Sequence, residues 1–189
     1  MNMKSPSCML LADVRHIGLC IDRWRGFTLV EMMVVIAILA VLVAIGVPNV
    51  REYILDARVS TQGTELVSDL AFARSEAVSR GRSVVVCAST NGSTCSGSGN
   101  DWVLGRIIFV DTSGDRARQN DELLIRAGAS VNQDSTIVST FTTNSRVGFM
   151  PYGAALERGT FKICTANFTR GRLVTLELTG RATVTRVGC

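Results

Sequence analysis

Residues 27–47 read FTLVEMMVVIAILAVLVAIGV, and no other stretch constrains the chain as tightly. As a helix this run is ~31 Å long at about 1.5 Å per residue, the thickness of a bilayer's hydrocarbon core, so it is expected to span a membrane once. Arg23 and Arg25 stand just before it, and the positive-inside tendency keeps that end in the cytoplasm and sends the downstream chain outside. An ordinary export signal carries its apolar core ahead of the cut, with small residues at the cleavage site. Here the order is reversed: Gly26 precedes the apolar run and no such site comes after it. Glu31 is the second anomaly, because a carboxylate within an apolar span costs about 2.5 kcal/mol or more and a plain anchor gains nothing from it.

The segment R-G-F-T-L-V-E, from Arg25 to Glu31, resembles the cleavage and N-methylation signature of type IV prepilins. The resemblance implies a leader at residues 1–26, prepilin peptidase cutting between Gly26 and Phe27, and methylation of the new Phe27 amine. It also gives Glu31 an assembly role, pairing with the Phe27 amine of its own chain or a neighbour's, so that neither charge is isolated in an apolar core. The implied location is the inner membrane, single-pass, with the head in the periplasm and incorporation into a pilus or pseudopilus after processing. The implied partners are prepilin peptidase, other major and minor pilins or pseudopilins, and the inner membrane. The leader is longer than is usual in the family, and initiation at Met9 would shorten it without affecting cleavage.

Beyond the transmembrane and assembly helix at 27–47, residues 48–81 form an amphipathic helix. Val50, Tyr53, Ile54, Ala57, Leu66, Val67, Leu70, Ala71, Ala77 and Val78 recur at helical spacing as its apolar stripe. Arg51, Glu52, Asp56, Arg58, Glu65, Asp69, Arg74, Glu76 and Arg80 read as a solvated face, and Gly81 as the stop. Pro48 predicts either a kink or melted turn, or a helix end at the membrane surface. Residues 82–189 change to short β-like runs at 83–88, 102–110, 122–127, 136–141, 146–150, 160–164, 173–178 and 182–187, punctuated by Gly, Asn, Asp and Ser. The fold class is α+β: a long N-terminal helix whose second half packs on an antiparallel β-rich head.

Cys8 and Cys20 fall in the leader, leaving Cys87, Cys95, Cys164 and Cys189. An even number outside the cytoplasm favours disulfides over a zinc site, which usually includes histidine, and the only histidine is His16 in the leader. Three connectivities are open; the expected one is Cys87 with Cys95, closing a short loop, and Cys164 with Cys189. The helix ending in DLAFARSEAVSRG, these cysteines, the W-x-x-G of Trp102 and Gly105, the F-V-D at 109–111 and the T-G-R at 179–181 resemble the GspH/FimT/FimU group. That implies a minor pilin that helps initiate a type IV pilus. The alternatives are a GspH-type minor pseudopilin of type II secretion and a FimT-like DNA-binding pilin.

Catalysis is not expected, since the mature chain has no histidine and only one lysine, Lys162. No cofactor or metal is expected either. The acidic loop at 111–122 departs from calcium-loop spacing, and Arg116 and Arg118 would oppose a cation. The formal charge of +4 falls to about +2 without the leader, close to neutral for an exported domain. DNA binding is the sharper question, because residues 146–189 hold seven basic side chains against Glu157 and Glu177. Arg170, Arg172, Arg181 and Arg186 are its candidate residues, although the FimT-like G-R-x-R motif is incomplete at Gly180-Arg181-Ala182-Thr183. Replacing Gly26 by a bulky residue should leave an uncut, membrane-bound precursor. The intact mass of the membrane-extracted protein checks this: a mature chain still beginning at Phe27 would contradict it.

Overall fold

The computed structural model describes residues 26–96, 101–128, 134–142 and 146–189, without the side chains of residues 45, 47–49 and 101. Gly26 apart, the leader lies outside the described residues. The chain divides into two units, Met1–Val43 and Ala44–Cys189, and helix α1, Leu29–Arg80, contributes to both.

Thr28 starts α1: its hydroxyl accepts from the Glu31 amide at 3.2 Å, satisfying one of the donors that a helix N-terminus leaves unpaired. The helix ends in a Schellman motif. Gly81 takes a φ of 61°, the Gly81 amide donates to the Val78 carbonyl and the Arg82 amide to that of Ala77. Between these ends the backbone is helical through Pro48, so neither a melted turn nor a helix end occurs there. Proline removes one internal hydrogen bond, and the helix resumes because its later turns are packed on the head. Among the described residues no helix is long and apolar enough to cross a membrane. The side chains described in the apolar run stop at Ala44, short of the ~20 residues a span takes, so the length of that run is read from the sequence.

Within the second unit, the eight strands are β1 (Val84–Ala88), β2 (Arg106–Val110), β3 (Leu124–Gly128), β4 (Ser135–Ser139), β5 (Arg146–Phe149), β6 (Gly159–Thr165), β7 (Arg170–Leu176) and β8 (Ala182–Gly188). They form two antiparallel four-stranded sheets, ordered β3-β2-β1-β5 and β4-β6-β7-β8. Two boundaries differ from the sequence reading by three residues or more. Trp102 belongs to a 3-10 turn, Asp101–Val103, so β2 begins only at Arg106. β7 begins at Arg170, three residues earlier than the apolar run suggests, because the Arg172 charge is paired with a carboxylate of α1.

The main core joins α1 to both sheets. Val59, Leu66, Leu70, Ala73 and Ala77 of α1 pack with Val84, Val86 and Ile108 of one sheet and Phe161, Ile163, Val174 and Leu176 of the other. Trp102 is fully buried and meets Phe161 edge-on at 4.7 Å between ring centres. The buried stripe is therefore narrower than expected: Val50, Tyr53, Ile54, Ala57, Ala71 and Val78 are exposed. A second small core of Val85, Cys87, Ile107 and Phe109 lies on the other face of β1 and β2, against Cys95 and Leu124. Both faces being covered explains why every residue of β1 and β2 is buried.

Two disulfides close the head, Cys87–Cys95 and Cys164–Cys189. The second passes over β7 at Gly171, where a Cβ would lie 2.5 Å from the Cys189 sulfur, 2.6 Å from the Ile163 carbonyl oxygen and 3.3 Å from the Cys164 sulfur. Only glycine leaves room for the bond. Gly171→Ala should therefore prevent the Cys164–Cys189 link and lower the head's stability by about 2–4 kcal/mol, the usual contribution of such a bond. Thiol alkylation with mass analysis reads the first effect and urea unfolding the second; a fully oxidised variant of unchanged midpoint would refute the account.

Candidate assembly site

Gly26 and Phe27 precede the first turn of α1 and are exposed, Phe27 at 71%. A Cβ on Gly26 would meet nothing within 4 Å, so the fold itself sets no demand for glycine at that position. Thr28 is the N-cap, which places Glu31 at the third helical residue, where a carboxylate faces the positive end of the helix dipole. The T-x-x-E spacing thus gives Glu31 a local helix-starting role, present in the sequence but overshadowed there by the cost of a buried charge.

After Glu31 the exposed side chains are apolar on every side: Met33, Ile36, Leu39 and Leu42 are all more than half exposed, as are Val34, Ile38, Val41 and Val43. A helix apolar all round has its natural environment in lipid or among other helices.

The four candidate DNA-binding arginines do not share one state. Arg172 is buried and donates to both oxygens of Asp56, at 3.0 and 3.1 Å. Arg170 is exposed and donates to Glu52 at 2.8 Å. Arg181 lies before β8 and Arg186 within it, both exposed. Two of the four are thus already matched by carboxylates of α1. The helix's supposedly solvated charge is also put to use elsewhere: Asp69 accepts from Arg106 and, at 3.1 Å, from Arg126, and Arg74 donates to the Gly153 carbonyl at 2.9 Å. Arg106 is almost wholly buried, and burial of such a pair makes loss of either member costly.

The acidic loop at 111–122 is organised from within. Glu122 is buried, and its carboxylate accepts from the amides of Thr112 (2.8 Å), Ser113 (3.1 Å) and Gln119 (2.9 Å). Burial pushes its pKa up, but the amides of Gln119, Ser113 and Thr112 and the Ser113 hydroxyl outweigh this and hold it below the usual carboxylate value. Asp115 is likewise held low, first by the Ala117 amide and then by the side chains of Gln119 and Ser113. Asp111 accepts from the Gly114 amide at 2.8 Å. Arg118 donates to the carbonyls of Ser93 and Glu122, tying this loop to the one closed by Cys87–Cys95. Among the described residues no group of carboxylates, histidines or cysteines is arranged to hold a metal.

The family model described as type II transport protein GspH matches residues 62–180. The chain belongs to the GspH family. The model of the prokaryotic N-terminal methylation motif matches residues 25–47, the segment ahead of this GspH-family head. The chain is 37% identical over 81 residues to prepilin peptidase-dependent protein D of Escherichia coli K12, covering 42% of this chain and 48% of that one. It is 37% identical over 65 residues to a fimbrial protein of Pseudomonas aeruginosa, covering 34% and 42%. It therefore spans less than half the length of these curated relatives. Among solved structures, the type IV minor pilin FimU of Pseudomonas aeruginosa PAO1 superposes with a TM-score of 0.55 at 23% identity, covering 69% of this chain and 90% of that one. A second crystal form of FimU gives 0.52 at 24% identity, with 67% and 91% covered. That likeness establishes a shared α+β fold for this GspH-family member.

Glu122 makes the loop sensitive to acid. Its pKa is lowered by folding, so its contribution is complete above the unfolded carboxylate value of ~4.3 and fades as pH falls through the folded value. Glu122→Ala leaves three loop amides without their acceptor and should cost about 1–3 kcal/mol at pH 7, with the gap to wild type closing in acid. Urea unfolding across pH checks this; a gap that persists unchanged below the carboxylate range would be inconsistent with it.

Proposed function

We propose that the chain is a structural, non-catalytic subunit: a minor pilin that helps initiate a type IV pilus. In this reading the precursor sits in the inner membrane with its head in the periplasm. Prepilin peptidase cuts it between Gly26 and Phe27 and methylates Phe27, and the mature helix then packs among those of other pilins. The observation that carries the proposal is the start of α1: a Thr28-capped turn bearing Glu31, followed by side chains apolar on all sides. Such a helix needs partners along its whole circumference, and a carboxylate one turn from a new amino terminus supplies a charge to match. A type II secretion pseudopilus is the second reading, favoured by the description of the matching family model. The DNA-binding reading has less support, because Arg170 and Arg172 are engaged by Glu52 and Asp56.

The test is Glu31→Val. The variant should insert and be cut as well as wild type, since removing a charge from an apolar span favours insertion by about 2.5 kcal/mol or more. Its recovery in sheared filaments should nonetheless drop by an order of magnitude, because the neighbouring amine loses its partner. Filament recovery equal to wild type would remove Glu31 from assembly. Scoring twitching, exoprotein secretion and transformation in a deletion strain assigns the machine.

A further inference from the structure

The register of β7 and β8 fixes which backbone groups of β8 are spare. At one end the Cys189 amide donates to the Thr169 carbonyl at 2.8 Å, and at the other the Glu177 amide donates to the Arg181 carbonyl at 3.0 Å. Hydrogen-bonded pairs alternate along an antiparallel ladder, so Thr183, Thr185 and Val187 bond to Thr175, Leu173 and Gly171. Ala182, Val184, Arg186 and Gly188 then direct their amides and carbonyls away from β7, and β8 is the last strand of its sheet.

Edges of this kind are normally protected. Of the other described edges, β5 is covered where the Leu156 amide donates to the Gly148 carbonyl and Phe149 bridges to Ala155. β3 runs beside a register shift in β2, and its Arg126 folds back over Phe72 and onto Asp69. β8 has seven residues, against five in β3 and β4 and four in β5, and it contains no proline, lysine or bulge. Its ends are held by the β7–β8 turn and by the Cys164–Cys189 bond. The Val184 side chain faces α1 at Gly63. Beside the start of the strand, Val67, Ala71 and Val78 of α1 line an apolar groove of about 560 Å³ with Arg181 and Ala182. Arg186 has no ion-pair partner among the described residues.

We propose that the free edge of β8 accepts an extended segment of a neighbouring filament subunit. That segment places an apolar side chain in the groove beside Ala182 and an acidic one against Arg186. The proposal rests on the filament-subunit reading. A second copy of this chain is a poorer occupant, because neither outer strand of this sheet, β4 or β8, contains an acidic residue to meet Arg186. One strand edge also buries little beside the ~800 Å² per partner of a specific interface, whereas neighbours already tethered in a filament meet at high effective concentration.

The test is photocrosslinking in the host bacterium with benzoylphenylalanine at Thr185, compared with the same probe at Thr136 on the opposite edge of that sheet. The expected adduct maps to an extended segment of another subunit that carries an N-terminal methylation motif. Arg186→Pro removes an outward amide without taking a bond from β7, and should cut the adduct about tenfold, while Arg186→Lys retains it. Gly188→Pro is a second probe of the same kind, at a position where a Cβ meets nothing closer than the Thr169 oxygen at 4.0 Å. Alkylation mapping selects the proline variant whose Cys164–Cys189 bond is intact. An adduct to a second copy, an adduct no stronger than at Thr136, or a proline variant crosslinking like wild type would each overturn the proposal. A wild-type chain that enters filaments without a β8 adduct defeats this inference alone, and one that never enters filaments defeats the filament reading too.

Discussion

The head is organised around one stripe of α1, running from Val59 through Leu66, Leu70 and Ala73 to Ala77. Both sheets turn their inner faces to it, so the stripe serves two surfaces at once. Burying a side chain such as Leu66 or Leu70 stabilises by about 1.5–3 kcal/mol relative to exposure, and these positions are fully buried. Close approach depends on Gly63, where a Cβ would come within 3.2 Å of Val184 and 3.4 Å of Arg172. Polar side chains then set the register along the same helix. Asp56 and Gln62 reach the second sheet, Asp69 reaches the first, and Arg74 holds the segment before β6. Apolar packing supplies the attraction, and these four positions restrict how the helix can slide or rotate on the sheets.

Much of this was legible in local pattern. The long helix came from spacing and from Gly81, and the eight strands from short β-branched runs between turn residues. What escaped depends on partners far apart in the chain. Arg172 looked like a surface charge because its carboxylate, Asp56, is 116 residues away; Arg106 is 37 residues from Asp69. Conversely, Val50, Tyr53, Ile54 and Ala57 fit an apolar stripe by spacing, yet the strands do not extend over them. Periodicity reports which residues share a helix face, not which face the sheets cover. The division of strands between two sheets was also hidden, since alternation carries no information on pairing.

The acidic loop shows the same limit from another side. The loop at 111–122 is rich in oxygen ligands, and its spacing together with Arg116 and Arg118 spoke against a cation, but sequence cannot show what those carboxylates face instead. Folding turns the amides of Thr112, Ser113 and Gln119 inward onto Glu122, so the chain provides its own positive partial charges. The N-cap of α1 uses related physics, with Thr28 and Glu31 at unpaired amides of the first turn.

The cystine over Gly171 has a mechanical consequence. In the filament proposed above, tension would reach the head through α1, and a sheet resists load very differently by direction. Ladder bonds opened from a loose end break one after another, each at low force, whereas bonds loaded along the strand must yield together. β8 has no loose end within its sheet: the turn at 177–181 joins it to β7 at one side and the Cys164–Cys189 bond ties it across β7 to β6 at the other. Peeling is therefore blocked at both termini of the strand, and pull on this part of the head is converted to shear.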